Sequence, residues 1–250
     1  MLIGGFALVL TLAVSAPGPP PPDEAVMAYL TSIGTVDASP AFAVSAPGSA
    51  AWRYADHFSI TYRARIESGG VPWVDEIRLM RDGAEACRDF RDGTPLSCAV
   101  FDDFVTTPEG LISSFSINGD TIEGRLGDPS DVAIAGPVSA ATVSSYYSIG
   151  SGGLVVNVRV STKRDVALDA GTAAMYITPD GDEIGGTDAM DATTLRAGSS
   201  ATRVLFFPDA PVGGHIVWSI AASECCDEFQ LDVAVPALGD GVATTDKQRG

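Results

Sequence analysis

From residue 138 to residue 235, apolar side chains return at every second position in short segments, each closed by a turn signal. That periodicity commits this part of the chain to sheets. Leu154, Val156, Val158 and Val160 share one face of an extended segment, and Ala173, Met175 and Ile177 alternate up to Pro179-Asp180-Gly181. Val204 and Phe206 oppose Leu205 and Phe207. Ile216, Trp218 and Ile220 repeat the pattern, and Phe229, Leu231, Val233 and Val235 carry it to Pro236.

The preceding half mixes periods. Asp23 is placed to cap a helix whose Val26, Tyr29, Leu30 and Ile33 fall on one stripe, with Gly34 to end it. Ser49 is placed to cap a second, carrying Ala51, Tyr54, Ala55 and Phe58 at the same spacing. Phe58 to Ile66 fits either the tail of that helix or a first strand. Strands are expected at Val71–Met80, Leu96–Val105 and Leu111–Ile117, and Asn118-Gly119 is a strong hairpin signal. That turn sets Phe115 opposite Ile122 and Leu111 opposite Leu126. The expected fold is an α+β N-terminal module over 23–129, two helices on a curved antiparallel sheet in a cone-like form. An all-β immunoglobulin-like sandwich over 130–238 follows, because about seven short strands in roughly a hundred residues is the usual inventory of that architecture.

Two resemblances accompany this reading. The run Ser49-Ala50-Ala51-Trp52-Arg53-Tyr54-Ala55-Asp56-His57, the cysteines 87 and 98, and Phe104, Gly110 to Phe115 and Asn118-Gly119 resemble the N-terminal half of actinobacterial secreted proteins. That half is similar to the nuclear-transport-factor-2-like fold. Val155 to Val160, Tyr176 to Gly181, Leu195 to Ser199 and Val204 to Pro211 resemble immunoglobulin-like domains of unknown function carried by bacterial lipoproteins and secreted proteins. At the position after the first core strand where many members carry Asn, this chain has Ser161-Thr162-Lys163. The second resemblance implies binding, spacing or envelope interaction and no chemistry.

Location is read from the first residues. MLIGGFALVLTLAVSA, residues 1–16, is uncharged and ends in Val14-Ser15-Ala16, the small-residue spacing of a signal-peptidase site. No Lys or Arg precedes the run, so an upstream start is one reading of it. As a helix it spans roughly 24 Å against a hydrocarbon core of about 30 Å, which favours a cleaved signal over an N-terminal anchor. Residues 17–22 form a proline-rich spacer, and 239–250 read as a disordered tail. The protein is thus expected outside the cytoplasm, secreted or held at the cell envelope, with membrane contact only through the N-terminal segment if it is retained.

The 32 acidic and 15 basic residues give a net charge of −17. Residues 1–129 carry −9 and residues 130–250 carry −8, with no acidic run longer than two. The charge is therefore spread over folded surface, and nucleic acid, which needs a basic footprint, is excluded as a partner. Four cysteines suit an oxidising compartment. Cys87 and Cys98 flank Asp92-Gly93, whose two-residue turn sets 87 opposite 98; Pro95 argues for a longer loop, and two reduced thiols are the alternative. The adjacent Cys225 and Cys226 form a structural or vicinal bridge, stay free, or serve a redox role. Glu224, Asp227 and Glu228 oppose the last by raising a thiol pKa.

No nucleophile elbow, phosphate loop, dinucleotide fingerprint or paired-histidine metal motif occurs. Asp180-Gly181-Asp182-Glu183 with Asp188 and Asp191 lacks the glycine and terminal glutamate of a calcium loop and reads as a solvated acidic turn. No cofactor or metal is expected. The candidate ligand-pocket residues are Tyr54, Asp56 and His57 on the second helix and Asp75 on the following strand, a set able to do acid–base work if it converges. One helix cannot turn 54, 56 and 57 inward together: Tyr54 belongs to the apolar stripe, and Asp56 and His57 are expected at solvent. Trp52, Trp73 and Trp218 are expected in the core or between the two modules. The leading functional expectation is a non-enzymatic binding or interaction protein whose partner is an unknown protein or small molecule. A ligand carrier or enzyme using a pocket in the N-terminal module, and a membrane-anchored spacer, are the alternatives.

Overall fold

A computed structural model describes residues 21–70, 74–89, 97–168, 174–190, 192–223 and 227–238. The apolar run 1–16, residues 17–20 of the spacer, Trp73, the Asp92-Gly93 turn, Cys225, Cys226 and the tail 239–250 lie outside them.

Three helices come first: α1 (Asp23–Ile33), α2 (Ser39–Val44) and α3 (Ala50–Glu67). In α1 the cap position is Pro22, without a side-chain bond, while Asp23 and Glu24 occupy the first turn beside the positive end of the helix dipole. In α3 the Ser49 side chain accepts the Trp52 amide at 3.2 Å, satisfying one of the orphan donors of the first turn. Phe58 to Ile66 belongs to this helix, so the two-fold alternation there is not a strand. The short α2 has no counterpart in the apolar periodicity.

The first sheet runs in chain order through β1 (Val74–Met80), β2 (Gly83–Asp89), β3 (Ser97–Thr106), β4 (Ile112–Ile117) and β5 (Asp120–Thr121), antiparallel throughout. Asn118 and Gly119 take positive φ of 53° and 82°, and the tight turn they make pairs Ile117 with Asp120. The expected Leu111–Leu126 pair does not form. The hairpin carries on as far as Ile122, whose amide donates to the Phe115 carbonyl at 3.2 Å, and the chain then turns away through residues 123–125 to place Leu126 opposite Tyr146 in another sheet.

The remaining strands are β6 (Leu126–Gly127), β7 (Ala133–Ala135), β8 (Val138–Ser148), β9 (Gly153–Thr162), β10 (Val166–Leu168) and β11 (Met175–Ile177). After them come β12 (Glu183–Gly185), β13 (Thr187–Asp188), β14 (Thr193–Leu195), β15 (Ser200–Pro208), β16 (His215–Ala222) and β17 (Glu228–Ala234). They form a β-sandwich. One sheet is ordered β13-β15-β9-β8-β6 with β7 on β8, and the other β12-β11-β16-β10-β14 with β17 on β16. Between them lies a core that includes Leu154, Val156, Val158, Val160, Phe207 and Trp218, all fully buried. Each such side chain contributes about 1.5–3 kcal/mol through the apolar surface it removes from water.

The expected α+β cone-like module joined to an immunoglobulin-like sandwich is corrected by this architecture. Among the described residues strands account for 49% and helices for 18%, in three antiparallel sheets. The physical reason lies partly in α3. Its Ala51, Tyr54 and Ala55 bury against the first sheet and α1, while His57 and Ala64 bury against the β8–β9–β15 face of the sandwich. A helix covered on both sides is a layer between sheets and cannot be the lid of a self-contained cone. In the C-terminal half, turns divide the chain into the twelve described strands β6 to β17, several of two or three residues, where the apolar pattern suggested about seven short ones. Trp218 lies in the sandwich core, and Trp52 stacks near Phe42 with ring centres 5.0 Å apart.

Candidate functional site

The face of α3 that meets the first sheet does not close on it completely. Tyr54 and Phe58, one turn apart, roof a cavity of about 400 Å3. Its floor comes from the inward positions of three strands: Ala86 and Arg88 on β2, Ser97, Ala99 and Phe101 on β3, and Ile117 on β4. The period of two in β2 and β3 places these residues on the face that also carries the core side chain Ala84. Asp75 on β1, and Tyr146 and Ser148 on β8 with the Gly150-Ser151 turn, complete the wall. The cavity therefore sits where the first sheet, α3 and the sandwich meet.

Its polar wall is built around one ion pair. Asp75 and Arg88 are register partners across β1 and β2. The guanidinium donates from Nε to Oδ1 and from Nη2 to Oδ2, each at 2.7 Å, a bidentate arrangement that fixes both planes. The Asp75 side chain is only 9% exposed and that of Arg88 21%. Arg88 also lies over the Phe58 ring, 5.4 Å from its centre.

Two phenols face each other beside this pair. The Tyr54 and Tyr146 rings meet edge to face at 5.1 Å, and Tyr54 packs in the same manner on Phe115 at 5.2 Å. Burial pushes the Tyr54 hydroxyl well above its usual pKa, assisted by Tyr146 and opposed by Arg88. Burial pushes Tyr146 up to about 12, against smaller opposing effects of the Ile149 amide, Arg125 and the Tyr54 hydroxyl. Both stay protonated at neutral pH and act as hydrogen-bonding groups, not as bases or nucleophiles.

Of the four sequence candidates, Tyr54 and Asp75 line this cavity, and Asp56 and His57 do not. Asp56 is half-buried elsewhere on α3, its carboxyl raised by burial and pulled back by Arg53 and Arg63. His57, expected at solvent, is instead buried at 1% exposure on the side of α3 that meets the sandwich. Its Nδ1 lies 3.1 Å from Ser144 Oγ and 3.3 Å from Asn157 Nδ2. The Asn157 amide nitrogen, with two N–H to share, also lies within reach of the His57 carbonyl, Thr61 Oγ1 and Ser144 Oγ at 3.2, 2.9 and 2.9 Å. Burial alone lowers the imidazole to a pKa of about 3, so it is neutral at physiological pH. His57 thus joins helix to sheet and has no access to the cavity.

Arg88, Tyr146 and Phe58 were missed as site residues. The readable signal was the inward series 84, 86, 88 on β2, which sets a cation on an otherwise alanine face beside Cys87. Tyr146 could not be found from local pattern, because its partner Tyr54 is ninety-two positions away in sequence. Cys87 and Cys98 are register partners and form a disulfide between β2 and β3. Among the described residues no group of three or more His, Cys, Asp or Glu is placed to hold a metal ion, and no helix is long and apolar enough to cross a membrane.

Comparison of the chain with known protein families, with curated proteins and with solved structures finds no match to any of them.

Proposed function

We propose that the chain is an extracytoplasmic binding protein that takes a small molecule between α3 and the first sheet. The observation that carries this reading is the cleft of about 400 Å3, open to solvent on one side, bordered by three layers of the fold and furnished with a bidentate ion pair and two protonated phenols. Small-molecule sites are typically concave, about 300–1,000 Å3, mostly apolar and marked by a few placed polar groups. Binding is favoured over catalysis by the chemistry of the lining. Asp75 is engaged by Arg88, the phenols are held protonated, and His57 points into a different interface. The Cys87–Cys98 bridge, formed by a half-buried and an exposed cysteine, supports an oxidising compartment.

Native mass spectrometry of the protein recovered from the cells that make it tests this reading. A non-covalent small-molecule adduct is expected on the wild type and absent from Ala99→Trp, which fills the floor of the cavity. No adduct on the wild type, or the same adduct on both proteins, would refute it.

A further inference from the structure

The lining of the cavity also selects the chemistry of its occupant. Among the described residues, Asp75 and Arg88 are the only charged groups that line it, and they neutralise each other through two 2.7 Å bonds. A carboxylate entering the site meets a guanidinium whose charge is already balanced; an ammonium meets a carboxylate in the same condition. Either ion would give up its hydration without a compensating charge, and to gain one it would have to break a part-buried bidentate pair. The remaining surface is aromatic or aliphatic, with neutral hydroxyls from Tyr54, Tyr146, Ser97, Ser148 and Ser151.

The geometry points to an uncharged, ring-bearing ligand that carries hydroxyl or carbonyl oxygen, its ring packed among Phe58, Phe101 and the two tyrosines and its oxygen met by the phenols. This inference rests on the binding reading above and adds to it the class of ligand. Aromatic walls fit a ring because offset and edge-on contacts add stabilisation beyond the area they bury. The ion pair then serves as a filter, excluding charged analogues of the same shape by leaving them unpaired.

Three probes of one shape separate the possibilities: 2-(2-naphthyl)ethanol, 2-naphthylacetate and 2-(2-naphthyl)ethylammonium, titrated calorimetrically into the disulfide-intact chain. The alcohol is expected to bind at least ten-fold more tightly than either ion, with Ala99→Trp abolishing the binding. Asp75→Asn removes the carboxylate charge from the bidentate contact with the guanidinium and is expected to move the preference by ten-fold or more toward the carboxylate. Arg88→Met is expected to move it toward the ammonium. The order of the three probes on the wild type is a test in itself, should either variant fail to fold. Tighter binding of an ion, or equal binding of all three, overturns the uncharged-ligand inference while leaving the cavity as a site. Absence of binding by all three overturns this inference, while the reading it rests on stands or falls with the adduct on the wild type and its loss from Ala99→Trp.

Discussion

His57 Nδ1 and Ser144 Oγ stand 3.1 Å apart across the boundary between α3 and the sandwich, 87 positions apart in the chain. Asn157 closes the same contact from β9, its amide nitrogen within 3.3 Å of His57 Nδ1 and 2.9 Å of Ser144 Oγ. The boundary is therefore polar at its centre and yet buried, with His57 at 1% and Asn157 at 0% exposure.

That contact gives the protein an acid sensitivity of definite sign. The folded imidazole has a pKa of about 3, against 6.5 in an unfolded chain. Above pH 6.5 the group is neutral in both states and its protonation costs nothing. As pH falls below 6.5 the unfolded chain takes up a proton that the folded one refuses. Stability then falls by about 1.4 kcal/mol per pH unit until the folded imidazole protonates. Urea unfolding of wild type and His57→Gln between pH 7 and pH 4 isolates this group, since other titrations are shared. The wild type is expected to lose stability faster over that interval; parallel pH profiles would remove His57 from the account.

Asn157 carries the other half of the boundary. Replacing it with Ala leaves the His57 carbonyl, Thr61 Oγ1 and Ser144 Oγ without the amide that now serves them. Those groups keep one another, Ser144 Oγ with His57 Nδ1 and Thr61 Oγ1 with the His57 carbonyl, so Asn157→Ala is expected to lower the unfolding free energy by about 0.5–1.5 kcal/mol for each amide bond removed. Asn157→Leu fills the volume but restores none of the amide's bonds, and is expected to be no better. Recovery of wild-type stability by Leu would mean that the network contributes nothing.

The same residue explains what the sequence could and could not say. Leu154, Val156, Val158 and Val160 announce β9 and its buried face through their spacing alone, and all four are fully buried. Asn157, between them, belongs by alternation to the outer face, which a two-layer sandwich leaves to water. It is buried because α3 covers that face, and the contact joins positions a hundred residues apart, which no local period encodes. The cavity follows the same division. Tyr54 and Asp75 stood out as chemistry-bearing residues on α3 and the strand that follows it, whereas Arg88 and Tyr146 became part of the site only through strand register and layer packing. His57 misled because a lone histidine on a helix looks the same beside water as beside a sheet.

A second buried charge pair ties the β13–β15 edge of the sandwich. Arg203 Nη2 lies 2.6 Å from Asp188 Oδ2, both side chains are 2% exposed, and Nη2 also donates to the Met190 carbonyl at 3.1 Å. Burial raises the Asp188 carboxyl, and the Met190 amide and Arg203 pull it back, so desolvation offsets much of the attraction. Arg203→Met alone strands the carboxylate and is expected to cost about 3–5 kcal/mol. The double substitution Arg203→Met with Asp188→Leu removes both charges and is expected to recover most of that loss. A double variant as unstable as the single one would show that the pair itself, and not the stranded charge, sets the cost.

Cys87 and Cys98 make the last test, because their bridge holds the two strands that floor the cavity. The cross-strand pairs on either side of it are Ala86 with Ala99 and Arg88 with Ser97, and all four of those residues line the cavity from the opposite face of the sheet. Opening the bridge frees the β2–β3 connection in the unfolded chain, a change worth about 2–4 kcal/mol. Reduction is therefore expected to lower the urea-unfolding free energy by that amount and to weaken binding of 2-(2-naphthyl)ethanol together with it. The Cys87→Ala, Cys98→Ala double variant is expected to start at the lower stability and to respond little to reductant. If that variant still loses the full increment on reduction, the stabilising bridge lies elsewhere in the chain and the floor of the cavity does not depend on this one.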